Sequence, residues 1–219
     1  MSTETAGPGG PSAVDSLTAA QLDALREVGN IGAGNAATSL SRMVGHPVAM
    51  TVPCVRAVPL HHVPAAVAGD DEAVIVAIHL GVLGDAHGHI MFVMTVDDAK
   101  EIAASALQGM HPGDPDLFGL GDMERSALGE IGNILTSAYL IAMTTVTGLR
   151  LEPSPPQLGV DMAAALIGDV LTDVAATGNT ALLIETEFEE VDDPVCGTFL
   201  FIPTADGLRR VLDGLGVAP

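Results

Sequence analysis

Apolar and small residues recur at helical spacing through Leu22, Leu25, Gly29, Gly32, Ala36, Leu40 and Met43, and the stripe stops at Gly45 and Pro47. Thr18 and Gln21 precede it with the spacing of a capping box, so one long helix is predicted. A second stripe runs through Leu128, Leu135, Tyr139 and Met143 until Gly148, with Asp122 positioned to cap it. Each long helix is followed by an extended segment, 48–58 and then 149–156, in which proline excludes continued helix. A shorter helical patch comes next in both places. The first, 61–68, is weak; the second, from Asp161 to Ala175, is better defined by Met162, Leu166, Val170 and Val174.

Hairpins then follow. Alternation predicts strands over 73–80 and 89–95, joined by a glycine-rich turn over 81–88, and a second pair over 180–188 and 198–203. Terminal helices are predicted over 96–108 and 205–215, with Thr95 and Thr204 as N-caps. Sliding the later strands by 109 positions lays Gly88, Phe92, Thr95 and Asp97 over Gly197, Phe201, Thr204 and Asp206. Each half therefore reads α-β-α-β-β-α, and the chain divides into a tail, 1–16, and one domain, 17–219, made of two repeats, about 17–110 and 119–216. Three strands from each half can join into one six-stranded sheet with helices on its faces, giving a pseudo-twofold α/β molecule.

Composition narrows the setting. Hydrophobic residues make up 48% of the 219, yet no apolar run approaches the ~20 residues that span a bilayer. The first 16 residues are rich in Gly, Pro, Ser and Thr and lack a basic or apolar stretch, which predicts a disordered tail rather than a signal peptide and a cytoplasmic location. The formal charge of −20, from 28 acidic and 8 basic residues, disfavours nucleic acid and anionic membranes as partners. Lys100 is the only lysine, and such an acidic balance fits solubility tuning or salt adaptation. Cys54 and Cys196 lie far apart, outside metal or redox spacing.

Against this background one polar pattern occurs twice: Asp23-x-x-x-Glu27-x-x-Asn30 and Ser126-x-x-x-Glu130-x-x-Asn133. Each asparagine is followed 23 positions later by a proline, Pro53 and Pro156. On a helix, Glu27 and Asn30 stand within about 60° of each other, with Asp23 one turn earlier. They form a polar ridge opposite the apolar stripe, facing solvent or a partner. Gly34 and Ser137 continue the two ridges with small residues, while Ile31 and Ile134 add an apolar patch beside each asparagine. A single Glu/Asn pair on an exposed helix is ordinary; its return in the second half has no packing reason. Gly29 and Gly32 each cost roughly 0.5–1 kcal/mol mid-helix, which close packing of the helix backbone on the sheet would offset. The two prolines are expected to end the strands after the long helices, and Asp23 and Ser126 to act as local hydrogen-bonding supports.

The ridges hold no Cys, Lys or His, and Ser126 has no adjacent base, which argues against covalent catalysis. One Glu and one Asn are too few ligands for a self-contained calcium or zinc site. A carboxamide can orient a water for in-line attack on a phosphoryl group, as glutamine does in GTPases. A neighbouring carboxylate can pair with a partner's lysine and hold that geometry, the partner supplying the magnesium.

The segments Glu27-Val-Gly-Asn30-Ile-Gly-Ala-Gly-Asn-Ala-Ala-Thr-Ser-Leu-Ser41 and Glu130-Ile-Gly-Asn133-Ile-Leu-Thr-Ser-Ala-Tyr-Leu140 closely resemble the paired signatures of the CheC phosphatases of chemotaxis. The likeness includes the Asp or Ser before each Glu and the proline after each Asn, and extends from about Leu17 to Leu215. It implies two pseudo-symmetric halves around a largely antiparallel sheet. It also implies an aspartyl-phosphate phosphatase acting on the response regulator CheY, with Glu27 and Glu130 engaging the regulator's lysine and Asn30 and Asn133 orienting the hydrolytic water. The regulator would contribute the phosphate and its Mg²⁺, so no cofactor of the chain's own is implied. Members of the family also bind the deamidase CheD, here by resemblance through Asp161 to Ala175. The single-site relative CheX lacks one complete motif, and the chain's length argues against the switch relatives FliY and FliM. A competing reading keeps the ridges without turnover: a binding module that sequesters phosphorylated CheY or CheD.

Overall fold

The computed structural model describes residues 17–175, 180–189 and 194–218; the tail predicted over 1–16 lies outside the described residues. The first long helix, α1, spans Ala19–Val44, and both hydrogen bonds of its capping box form: Gln21 N–H donates to Thr18 Oγ1 at 3.3 Å and Thr18 N–H to Gln21 Oε1 at 2.8 Å. Gly45 closes the helix in the left-handed conformation, with φ at 78°. Next come β1 (Ala49–Pro59), a short 3₁₀ turn (Leu60–His62), α2 (Val63–Ala68), β2 (Val74–Gly84), β3 (Gly88–Thr95) and α3 (Val96–Leu107). The order then recurs with α4 (Asp122–Thr147), β4 (Leu151–Pro153), β5 (Gln157–Met162), α5 (Ala163–Ala175), β6 (Thr180–Glu189), β7 (Pro194–Pro203) and α6 (Ala205–Gly214). Thr95 and Thr204 cap α3 and α6 as predicted, each accepting a backbone N–H three residues on.

The last strand starts at Pro194 rather than 198, because β6 keeps pairing with it as far as Glu189. Four further boundaries differ from the expectation, each for a physical reason. Asp122 is the first residue of α4, and the cap is Gly121, whose N–H donates to the Glu124 carboxylate at 2.7 Å. A side chain cannot occupy that cap, because a Cβ on Gly121 would run into the Pro112 carbonyl. The turn predicted over 81–88 shrinks to residues 85–87, because β2 continues to Gly84 by pairing with β4. The segment 149–156 splits at Ser154-Pro155-Pro156 into β4 and β5, both of which pair with β2. Asp161 and Met162 belong to the end of β5, opposite Ile75 and Val74, so the helix begins at Ala163.

All strand pairs are antiparallel, in the order β1-β6-β7-β3-β2-β4, with β5 beside β4 along the same edge of β2. Among the described residues, seven strands thus fill six lanes. The first half's β1 pairs with β6 of the second half, and the second half's β4 and β5 pair with β2 of the first. At the central β3–β7 pair, Met91 faces Leu200, its mate under the 109-residue shift, so the order reads symmetrically about that point.

Strand side chains alternate between two cores. Val76, Ile78, Leu80, Ile90, Phe92, Leu182, Ile184, Phe199 and Phe201 point to the layer of α1, α3, α4 and α6. Ile75, Ala77, Met91, Val93, Leu183, Leu200 and Ile202 point to the layer of α2 and α5. With both faces covered, the strands read as near-continuous apolar runs.

Candidate functional site

Along α1 the buried positions include Leu25, Val28, Gly29, Gly32, Ala33, Ala36 and Leu40, which leaves Asp23, Glu27, Asn30 and Gly34 together on the exposed face. On α4, Ser126 and Glu130 are exposed and Asn133 and Ser137 are half-buried, while Leu128, Ile131, Gly132, Leu135 and Tyr139 face inward. Both ridges therefore lie where the residue pattern places them, on two helices that share one face of the sheet. Beside Asn30, Ile31 is 40% exposed; its counterpart Ile134 is half-buried.

Close packing of glycine explains how these helices are seated, though not as the sequence suggested for both residues. Gly29 does lie over the sheet, with an added Cβ meeting Val52 at 3.4 Å and Ile184 at 3.7 Å. Gly32 instead faces Tyr139 of α4, so its small size serves the contact between helices. Gly34 meets nothing within 4 Å, so nothing inside the fold demands a small residue there.

Asp23 forms an ion pair with Arg26 at 2.6 Å rather than bonding to Glu27 or Asn30. Gly129 stands where Arg26 does, 103 positions on, and the Ser126 hydroxyl makes no hydrogen bond to the described residues. Among those residues, Glu27 and Glu130 have neither an ion pair nor a hydrogen-bond partner, so both carboxylates are available to an incoming cation.

Asn30 has a partner that the residue pattern did not reveal. Its Oδ1 accepts the backbone N–H of Val52 in β1 at 3.2 Å. The β1–β6 register slips between Thr51 and Cys54, and Val52 lies inside that slip. The bond also fixes which way the carboxamide faces, since only its oxygen can accept. The available signal was Pro53: a proline inside an edge strand marks an interrupted ladder, and the N–H before it needs another acceptor. The prolines do not end their strands as expected. Pro53 sits within β1 at the register slip, and Pro156 in the break between β4 and β5.

No group of three or more His, Cys, Asp or Glu among the described residues is placed to hold a metal ion. No described helix is long and apolar enough to cross a membrane. The arrangement can offer an incoming surface a carboxylate, a carboxamide one turn away, and an apolar shoulder.

Two long helices on one face of a six-lane antiparallel sheet, each with an outward Glu/Asn ridge, define the class, and the same fold occurs in FliY of Thermotoga maritima. The crystal structure of that protein superposes with a TM-score of 0.74 at 22% identity, covering 91% of this chain and 98% of the other. The chain belongs to the CheC-like family, whose sequence profile matches residues 21–55 and 123–160. Each matched stretch contains one ridge together with its proline. The chain is 31% identical to the CheY-P phosphatase CheC of Bacillus subtilis (strain 168) over 204 residues, 90% of this chain and 95% of that protein. It is also 31% identical to the flagellar motor switch phosphatase FliY of the same organism, over 66% of this chain and 37% of that longer protein.

Proposed function

We propose that this chain is a cytoplasmic phosphatase of chemotaxis signalling that accelerates hydrolysis of the aspartyl phosphate on the response regulator CheY. The observation that carries the reading is the pair of outward-facing Glu/Asn ridges, in a chain that matches the CheY-P phosphatase CheC of Bacillus subtilis over nearly its whole length. Residues 17–110 and 119–216 act as two halves of one domain, each bearing one site.

The chemistry follows from what the ridge contains. Glu27 and Glu130 pair with a lysine of the regulator and set the docking angle. Asn30 and Asn133 reach the phosphoryl group and hold a water in line with the breaking bond, a task that needs a group able to donate and accept at once. Gly34 and Ser137 leave room for the partner's backbone, and Ile31 and Ile134 supply apolar contact. Asp23, through Arg26, shapes the start of the first ridge, and Ser126 holds the same place in the second. Pro53 and Pro156 shape the strand edges beneath. The regulator brings the acyl phosphate and its Mg²⁺, and this chain contributes positioning, which for phosphoryl transfer carries most of the catalysis.

The deamidase CheD is proposed as a second partner, docking on α5. That helix lies across the sheet from α1 and α4, so both partners can bind together.

The test is loss of phosphate from labelled regulator in the presence of the unmodified chain, Asn30→Ala, Asn133→Ala and the double variant. Each single variant is expected to keep part of the activity and the double variant to fall to the spontaneous rate. A double variant at full rate sinks the water-orienting role. An unmodified chain that binds phosphorylated regulator without speeding its decay makes the protein a sequestering module.

A further inference from the structure

The two asparagines are not held alike, and the difference traces to one residue of each edge strand. The bond from Val52 N–H to Asn30 Oδ1 depends on the residue before Pro53 having an amide hydrogen. Counting 103 positions on from Asn30, Val52 and Pro53 reaches Asn133, Pro155 and Pro156. Proline has no N–H, so the second half lacks the donor that the first half uses. Among the described residues the Asn133 carboxamide accordingly has no hydrogen-bond partner.

We propose that the residue before each repeated proline is a positioning residue for the ridge asparagine: Val52 tethers Asn30 against the sheet edge, and Pro155 leaves Asn133 free to enter a partner's site. The proposal rests on the reading of both asparagines as water-orienting groups. When Asn30 inserts, its oxygen must leave the Val52 N–H, which then turns to water in the irregular part of an edge strand. Breaking one such bond lowers the reactive population by about two- to twelvefold, the range that a typical net hydrogen bond corresponds to. The second site is therefore the faster one, and the first is a restrained copy whose restraint is a single backbone hydrogen.

Two measurements test this. Amide hydrogen exchange at Val52, followed by NMR, needs no turnover: it should be slow in the unmodified chain and faster by a similar factor in Asn30→Ala. Equal exchange in the two proteins overturns the tether. In single-turnover assays at subsaturating regulator, Asn133→Ala, which leaves the first site, should have a kcat/KM about two- to twelvefold below that of Asn30→Ala, which leaves the second. Within the Asn133→Ala background, Val52→Pro should raise kcat/KM and Val52→Ala, which keeps the N–H, should not. Because Val52 is buried and its replacement by proline can cost folding, exposed Pro155 provides the reciprocal arm: Pro155→Ala restores a donor and should slow the second site in the Asn30→Ala background. First-site activity equal to or above the second-site activity overturns the proposal. If the Asn30→Ala/Asn133→Ala double variant turns over at full rate while Val52 stays protected in the unmodified chain, it is the water-orienting reading that fails and the tether that stands.

Discussion

Gly32 of α1 rests against the ring of Tyr139 on α4: a methyl group built at Gly32 would lie 2.9 Å from Tyr139 Cδ1 and 3.0 Å from its Cα. Tyr139, the only tyrosine in the chain, also stacks on Phe199 of the sheet with ring centroids 4.1 Å apart and its hydroxyl 3.3 Å from Thr186 Oγ1. Burial pushes the Tyr139 phenol up to about 12, against a smaller lowering by the Thr186 hydrogen bond, so the ring stays neutral across the working pH range. The tyrosine thus joins both ridge helices and the sheet at one point.

Gly32→Ala should destabilise the fold. Alanine gains about 1 kcal/mol of helix propensity over glycine, but overpacking against a backbone atom that cannot turn aside costs about 1–3 kcal/mol. The net loss, up to about 2 kcal/mol, corresponds to a fall in Tm of up to roughly 8 °C for a chain of this size. Calorimetry of the variant decides it, and an unchanged Tm would mean that the helix crossing relaxes freely.

Gly34 should behave in the opposite way. An added Cβ meets nothing there, so Gly34→Ala should stabilise by about 0.5–1 kcal/mol through helix propensity. Gly34→Leu should keep that fold yet lower turnover at the first site, measured in the Asn133→Ala background. Undiminished turnover with leucine at 34 would mean that the partner does not approach over this residue.

Reversing the ridge charge addresses docking separately from chemistry. Glu27→Lys together with Glu130→Lys places like charges against the regulator's lysine and should abolish binding in a titration, with little change in Tm because both positions are exposed. Unchanged affinity would remove the lysine contact.

A fourth expectation concerns pH. On the α5 side of the sheet, His79 Nε2 lies 2.9 Å from His89 Nδ1, a bond that needs at least one neutral ring. Burial lowers the affinity of His79 for a proton, its neighbour His89 lowers it further, and Asp173 and Gln157 oppose this; burial likewise lowers His89, again against Asp173. Below about pH 6.5 the unfolded chain therefore takes up more protons than the folded one. The pair's contribution is full above that pH and is lost as pH falls toward the lower folded values. Screening of the acidic surface changes in the same range, so the readout is a difference: the fall in Tm from pH 7.5 to 5 should be smaller in His79→Gln/His89→Gln than in the unmodified chain.

What could be read from the sequence was local. The capping box of Thr18 and Gln21, the glycines that close both long helices, and the caps Thr95 and Thr204 each involve residues a few positions apart, and each forms as expected. The outward ridge was legible for the same reason, since helical periodicity alone decides which face Glu27 and Asn30 share. What escaped depends on distant neighbours. Nothing near Gly81 announces that β2 runs on to meet Leu151–Pro153, and nothing near Gly32 announces Tyr139. The hydrogen bond from Val52 N–H to Asn30 spans 22 positions, and its only local mark is Pro53, whose place in the sequence suggests a strand end instead.

The exchange of edge strands between the halves has a consequence for how the molecule can be taken apart. Because β1 completes the other half's hairpin, and β4 and β5 complete the first, cutting the chain near residue 115 would not release two single-site modules. It would leave two fragments, each with a hairpin edge bare and a strand without its berth, and either could close only by recruiting a second copy. Twofold valence is therefore inherited with the fold: a chain of this architecture cannot discard one ridge by deletion and can only let one fall silent by substitution.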